Sequence, residues 1–171
     1  YLKDGIIVPS VSEILHHIFP DKYKGIPNWI IEGKAEYGTK VHYSIECLEL
    51  GKELPKLNIF QELSLKEYLE IKKANKIEVL EQETIVSYEY EYAGRLDMIA
   101  MVDGKFSLID IKTTAVLDRE SLSWQLSLYE LAYGKKFSSL YCLWLPKGKI
   151  GKLVKIERLH LLLLMWQPPP Q

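Results

Sequence analysis

Asp97 and Asp110 are the two residues of this chain best placed to do chemistry together. They close a stretch, LDMIAMVDGKFSLID, in which two apolar runs flank Asp103-Gly104. That dipeptide between apolar runs signals a two-residue hairpin turn. With Val102 paired to Lys105, counting back along both strands sets Asp97 directly opposite Asp110. Side chains alternate along a strand. One face then carries Arg95, Asp97, Ile99 and Met101 opposite Lys112, Asp110, Leu108 and Phe106. The other carries Leu96, Met98, Ala100 and Val102 opposite Ile111, Ile109, Ser107 and Lys105.

Opposed carboxylates on paired strands have Cβ atoms about 5 Å apart and repel. At an effective dielectric of about 20 the repulsion costs on the order of 3 kcal/mol. Three arrangements offset it. One carboxyl takes up a proton, Arg95 and Lys112 pair with the two, or a divalent cation sits between them. Hard cations such as Mg2+ choose carboxylate oxygens and keep several waters. A lysine two residues beyond one ligand points to the same side and reaches such a water. That set suits phosphodiester hydrolysis: the metal polarises a phosphoryl oxygen and lowers the pKa of water, while the lysine orients or deprotonates the nucleophile. The same four residues equally describe a solvated salt-bridge cluster at a sheet edge.

The elements that must hold these residues follow from periodicity and punctuation. Ser10-Val11-Ser12-Glu13 reads as a capping box opening a short helix to about Phe19, stopped by Pro20. A second helix is expected from about Glu32 to Leu50, with Ala35, Val41, Ile45 and Leu48 as its apolar stripe. Ser64-Leu65-Lys66-Glu67 repeats the capping-box pattern and predicts a third helix. The span 77–92, rich in β-branched and aromatic residues, reads as one or two strands. After the hairpin, a helix from about Arg119 to Tyr133 ends at Gly134. Residues 139–145 form a short buried strand and 152–156 an edge strand, before a Leu-rich terminal helix. The order α-α-α-β-β-β-α-β-(β)-α predicts an α/β fold with a mixed central sheet flanked by helices. One domain over 1–171 is expected: a core at about 32–158, an N-terminal helical extension over 1–31, and a C-terminal helix and tail over 159–171.

Composition narrows the function classes. At 171 residues, 47% hydrophobic and 26% charged, the chain supports one self-sufficient core and is too apolar for a disordered tail. Cys47 and Cys142 cannot build a disulfide framework or a four-thiolate metal site. Scattered free thiols suit a reducing compartment. The first residues show neither the basic region nor the apolar stretch of a secretory signal. The longest apolar run, 161–166, falls far short of the roughly 20 residues of a membrane span. A cytoplasmic location without a membrane partner is the expectation. The formal charge of -1 excludes a protein that coats nucleic acid by bulk charge. It averages two unlike segments, however. Residues 43–92 carry 6 Lys against 11 acids, whereas 105–155 carry 9 Lys and Arg against 4 acids. The basic segment follows the hairpin and supplies phosphate contacts, with Lys135 and Lys136 among them.

Four motifs together resemble the PD-(D/E)XK nuclease superfamily, and within it the RecB-like exonuclease branch. Gly94-Arg95-Leu96-Asp97, twelve further residues and Asp110-Ile111-Lys112-Thr113 are similar to its core signature. Gly38-Thr39-Lys40-Val41-His42 is similar to the branch's Gly-x-x-x-His helix motif. Gln125-Leu126-Ser127-Leu128-Tyr129 is similar to its Gln-x-x-x-Tyr motif. The opening from Pro9 to Leu15 resembles small phage-encoded members more loosely. The resemblance implies a restriction-endonuclease-like core of order α-β-β-β-α-β and a deoxyribonuclease dependent on Mg2+ or Mn2+. It implies Asp97, Asp110, the backbone carbonyl of Ile111 and His42 as metal ligands, and Lys112 as the catalytic lysine. It adds an upstream acid, Glu81 in preference to Glu83. It places Gln125, Tyr129, Arg95 and Thr113 against nucleic acid. An exonuclease in recombination, repair or phage DNA processing is implied, located in the host cytoplasm for a phage-encoded member. A structure-selective endonuclease and a non-catalytic DNA-binding module are the alternatives. The cysteines of iron-sulfur relatives are absent, so that cluster is not expected.

His16, His17 and His160 are read as structural, and Trp124 and Trp144 as core. Trp29, in a loop-like stretch, offers a surface on which a base stacks. The Leu-rich stretch 159–166 either packs back on the sheet or serves a homo-oligomer or a recombination protein partner.

Overall fold

The computed structural model describes residues 1–22 and 24–159. The expected terminal helix therefore lies outside the described residues. The chain opens with a short hairpin, β1 (Leu2–Lys3) and β2 (Ile6–Ile7), and continues through α1 (Val11–Ile18), α2 (Asn28–Glu49) and α3 (Ile59–Ala74). Then come β3 (Glu78–Tyr88), β4 (Tyr92–Val102), β5 (Lys105–Lys112), α4 (Arg119–Tyr133), β6 (Ser139–Trp144) and β7 (Lys152–Ile156). The last five strands form one mixed sheet in the order β3-β4-β5-β6-β7. Only the β5–β6 pair is parallel, and α4 is the crossover that parallel neighbours require.

The sheet is buried on both faces. Against one lie α1 and α4, where Val11, Leu122, Leu126 and Tyr129 pack on Leu96, Ile99, Leu108 and Leu140. Against the other, Val41 and Ile45 of α2 and Tyr68 and Ile71 of α3 pack on Met98, Ala100, Ile109 and Leu143. The α/β fold with a mixed sheet flanked by helices matches the sequence expectation. No described helix is long and apolar enough to cross a membrane.

Several local expectations shift. The Ser10 capping box is present, with Glu13 N–H on the Ser10 hydroxyl and Ser10 N–H on the Glu13 carboxylate. The third helix instead starts one and a half turns before Ser64. Asn58 is its cap, and Gln61 closes a second box. The second helix begins at Asn28, directly after Pro27. Trp29 therefore stands on the first helical turn, still exposed. The extension over 1–31 is not purely helical, because Asp4 and Gly5 both adopt positive φ and close the β1–β2 hairpin. The same chemistry recurs at Asp103 and Gly104, whose φ values of 46° and 75° fit a type I′ turn. Leu96 also departs from its expected face, and that break bears on the site.

Candidate metal and catalytic site

From the turn outward, β4 and β5 pair as the hairpin arithmetic requires, Val102 with Lys105 through Met98 with Ile109. There the ladder ends. Asp97 and Asp110 fall at the next level, where Asp97 Oδ2 accepts the Ile111 N–H at 2.7 Å. A side-chain carboxylate has replaced a backbone carbonyl. Around this point the alternation of β4 slips: Leu96 packs on the α4 side with Ile99, while Met98 packs on the α2 side. Asp97 sits at the slip and turns toward α2, with Oδ1 3.6 Å from His42 Nδ1. Burial alone would raise Asp97. The positive field of His42 and Lys112 and the Ile111 N–H outweigh it and hold the carboxyl below its usual range.

Asp110 follows the opposite course. It is 2% exposed. Its Oδ2 lies 2.8 Å from Lys112 Nζ, close enough for a strong ion pair. The approach is off hydrogen-bonding geometry, and Oδ2 has no hydrogen-bond partner among the described residues. Burial pushes Asp110 up to about 6; Lys112 opposes the shift, and the negative charge of Asp97 adds to it. Burial would lower Lys112, but Asp110 and Asp97 overcome it and keep the ammonium charged. Two adjacent carboxylates thus have their affinities for a proton pushed apart.

Helix α2 brings in the imidazole. Gly38 lies one turn before His42, and a Cβ there would meet Thr113 Oγ1 at 3.1 Å. The missing side chain lets the helix approach the end of β5 and sets His42 beside Asp97. His42 is raised overall: burial lowers it, and the Asp97 charge and hydrogen bond outweigh that.

Of the two upstream acids, the fold brings Glu83, and not the Glu81 the resemblance preferred, beside His42 and Asp97. One ligand atom from each of His42, Glu83 and Asp97 fits within 4.8 Å of the others. The β3–β4 register shifts between Val79 and Glu81, and Glu83 takes a φ of 50°. Spacing in the sequence encodes neither irregularity. Burial and the Asp97 charge raise Glu83, while Arg95 and His42 lower it. Glu81 is exposed and accepts from Thr84 and from the Tyr133 hydroxyl. The donor set of carboxylate oxygens and one imidazole, beside a buried carboxylate oxygen without a hydrogen bond, fits a hard divalent cation.

Helix α4 closes the other side. Tyr129, expected to face nucleic acid, is 7% exposed. A Cβ on Gly94 would come within 2.5 Å of Tyr129 Cε1 and 3.2 Å of Val11 Cγ2. The tyrosine is a packing element behind Asp97, and burial pushes its hydroxyl up to about 12 while Gln125 opposes the shift. Gln125 is half-buried beside it, and Arg95 is exposed with Nε 2.7 Å from Glu83 Oε2.

Lys135 and Lys136 are not brought to the site. Helix α4 runs back toward the hairpin turn, where Tyr133 packs near Phe106 and Ser138 N–H bonds the Phe106 carbonyl. Phe106 is four residues before Asp110, about 13 Å along the strand. The two lysines are exposed at that far end.

A family model for the PD-(D/E)XK nuclease superfamily matches residues 32–148. Among solved structures, the chain is similar to an alkaline exonuclease from Laribacter hongkongensis. The TM-score is 0.44 at 14% identity, over 74% of this chain and 72% of that one. The search of curated proteins found no match.

Proposed function

Because the chain belongs to the PD-(D/E)XK nuclease superfamily, whose members hydrolyse phosphodiester bonds, we propose that it is a metal-dependent deoxyribonuclease, acting as a RecB-like exonuclease in DNA recombination, repair or phage DNA processing. The observation that carries this reading is the buried Asp110 Oδ2, which lacks a hydrogen bond, beside the His42–Glu83–Asp97 group. That oxygen has the Lys112 ammonium at 2.8 Å as its one partner among the described residues, and a ligating role would use its remaining capacity. Asp97, Asp110, His42 and Glu83 would hold Mg2+ or Mn2+, with the Ile111 carbonyl alongside. The cation, when bound, polarises a phosphoryl oxygen and lowers the pKa of water.

The protein's own groups do the rest. Asp97 keeps its negative charge through His42 and the Ile111 N–H, so it need not shed a proton before binding a cation. Lys112 is held charged by the ion pair with Asp110. It acts as a donor that orients the water nucleophile and faces charge developing on the phosphoryl group, not as the base that removes a proton. Gln125, Thr113 and Arg95 border the group and contact the strand being cut. Tyr129 and Gly94 keep β4 and α4 in register behind it.

The test is cleavage of linear and circular DNA with Mg2+ or Mn2+. Loss of linear DNA alone is expected. Cutting of circles would assign an endonuclease instead. No cutting, with Asp110→Ala binding DNA as the wild type does, would sink the catalytic reading.

A further inference from the structure

We propose that Arg95 holds the place of a cation at Glu83 and transfers to a substrate phosphate when the cation binds. This inference rests on the reading of Glu83 as a cation ligand with His42 and Asp97. Ile85 is the cross-strand partner of Arg95, so Glu83 is its diagonal neighbour on β3. Arg95 Nε lies 2.7 Å from Glu83 Oε2, with side-chain exposures of 62% and 23%. The pair is therefore lopsided. Glu83 is tethered by a left-handed backbone that non-glycine residues seldom adopt, with its carboxylate within reach of Asp97. The guanidinium lies out in solvent, where an ion pair contributes little and is readily exchanged. Glu83 is the one ion-pair partner of Arg95 among the described residues. Its two Nη groups form a planar fork that matches two phosphate oxygens.

Glu83 cannot serve both partners well. A divalent cation shared with His42 and Asp97 sets two positive groups against one carboxylate. Their repulsion expels the one that has another partner to go to, which is Arg95. A phosphate arriving at the fork has the converse effect and frees Glu83. By linkage, cation and nucleic acid each tighten the other by the same factor. Arg95 is thus a positioning residue acting through Glu83 as well as a phosphate contact.

The experiment is calorimetric titration of Mn2+ into the wild type, Arg95→Ala and Arg95→Lys, each with and without a single-stranded phosphorothioate oligonucleotide that resists hydrolysis. The wild type should bind Mn2+ about tenfold more tightly with the oligonucleotide present. Arg95→Ala should bind Mn2+ alone more tightly than the wild type, because nothing competes for Glu83. The oligonucleotide should then add about twofold or less. Arg95→Lys, which keeps the charge without the fork, should fall between them. If Arg95→Ala binds Mn2+ alone no more tightly than the wild type, or keeps the full oligonucleotide effect, the exchange is overturned. A wild-type Mn2+ site that is lost in Asp97→Asn but indifferent to Arg95 overturns the role of Arg95 alone. A wild type that binds no Mn2+ removes the cation reading and this inference with it.

Discussion

At the Asp103-Gly104 turn the two strands of the central hairpin pair residue for residue, and the paired positions near it are mostly apolar. At the other end, one step past Met98 and Ile109, pairing stops. Asp97 uses its side chain to bond a backbone N–H, Asp110 buries an oxygen without a hydrogen bond, and β4 changes face. The strands are the same, and the turn end is already satisfied. Its backbone groups are paired, and Ile99, Ala100, Val102 and Leu108 are buried in the core. The other end withholds hydrogen bonds and strand regularity, and that shortfall is where the proposed cation and phosphate would bind. The candidate site is a local failure of the ladder, supported from both faces by close contacts at Gly38 and Gly94.

The contrast predicts a graded set of effects. The largest belongs to the broken end: Asp110→Ala, Asp97→Ala and Lys112→Ala should each lower the rate of DNA cleavage by about 10³-fold, read from initial rates at saturating Mg2+. Next, Glu83→Gln should weaken Mn2+ binding by about 10–100-fold. Glu81→Gln should change it about twofold at most, and equal effects would return the choice to Glu81. Gly94→Ala should destabilise the fold by ~1–3 kcal/mol through overpacking against Tyr129. Pairing it with Tyr129→Leu should recover much of that loss in urea titrations. Proton and cation compete for Asp110, whose pKa is raised to about 6. His42, raised above its ordinary value, must also lose its proton to ligate, so cation affinity should fall as pH drops, first as His42 takes up a proton and further through about 6 as Asp110 does, by Mn2+ titration at stepped pH. The smallest effect belongs to the regular end. Lys135→Ala with Lys136→Ala should change the salt dependence of DNA binding by less than about one unit of slope, where two phosphate contacts would remove about two. A loss near two would carry the DNA path to the turn.

Those predictions also mark what could be read in the sequence. The turn, the strand register beside it, the helix ending at Gly134 and the strand at 152–156 all carry their signals within a few residues. They are found where those signals put them. The four motifs were legible too, since each is a short spacing. What failed is non-local. Glu83 joins His42 and Asp97 through a register shift and a positive φ that no spacing records. Lys135 and Lys136 follow the hairpin in sequence, yet α4 carries them to its far end. Two further elements do carry local signals: Asp4-Gly5 repeats the turn chemistry of Asp103-Gly104, and Asn58 with Gln61 repeats the box at Ser10.

The contact among Val11, Gly94 and Tyr129 also sets a timetable. Val11 leaves the ribosome long before either partner exists, and Tyr129 comes well after Asp97 and Asp110. The back wall of the site cannot assemble until Tyr129 has been made. Contacts so far apart in sequence close slowly and late. A nascent chain that already carries both aspartates and the lysine is then still without the scaffold that aims them, so the nuclease would be born inactive and switch on only once helix α4 has followed.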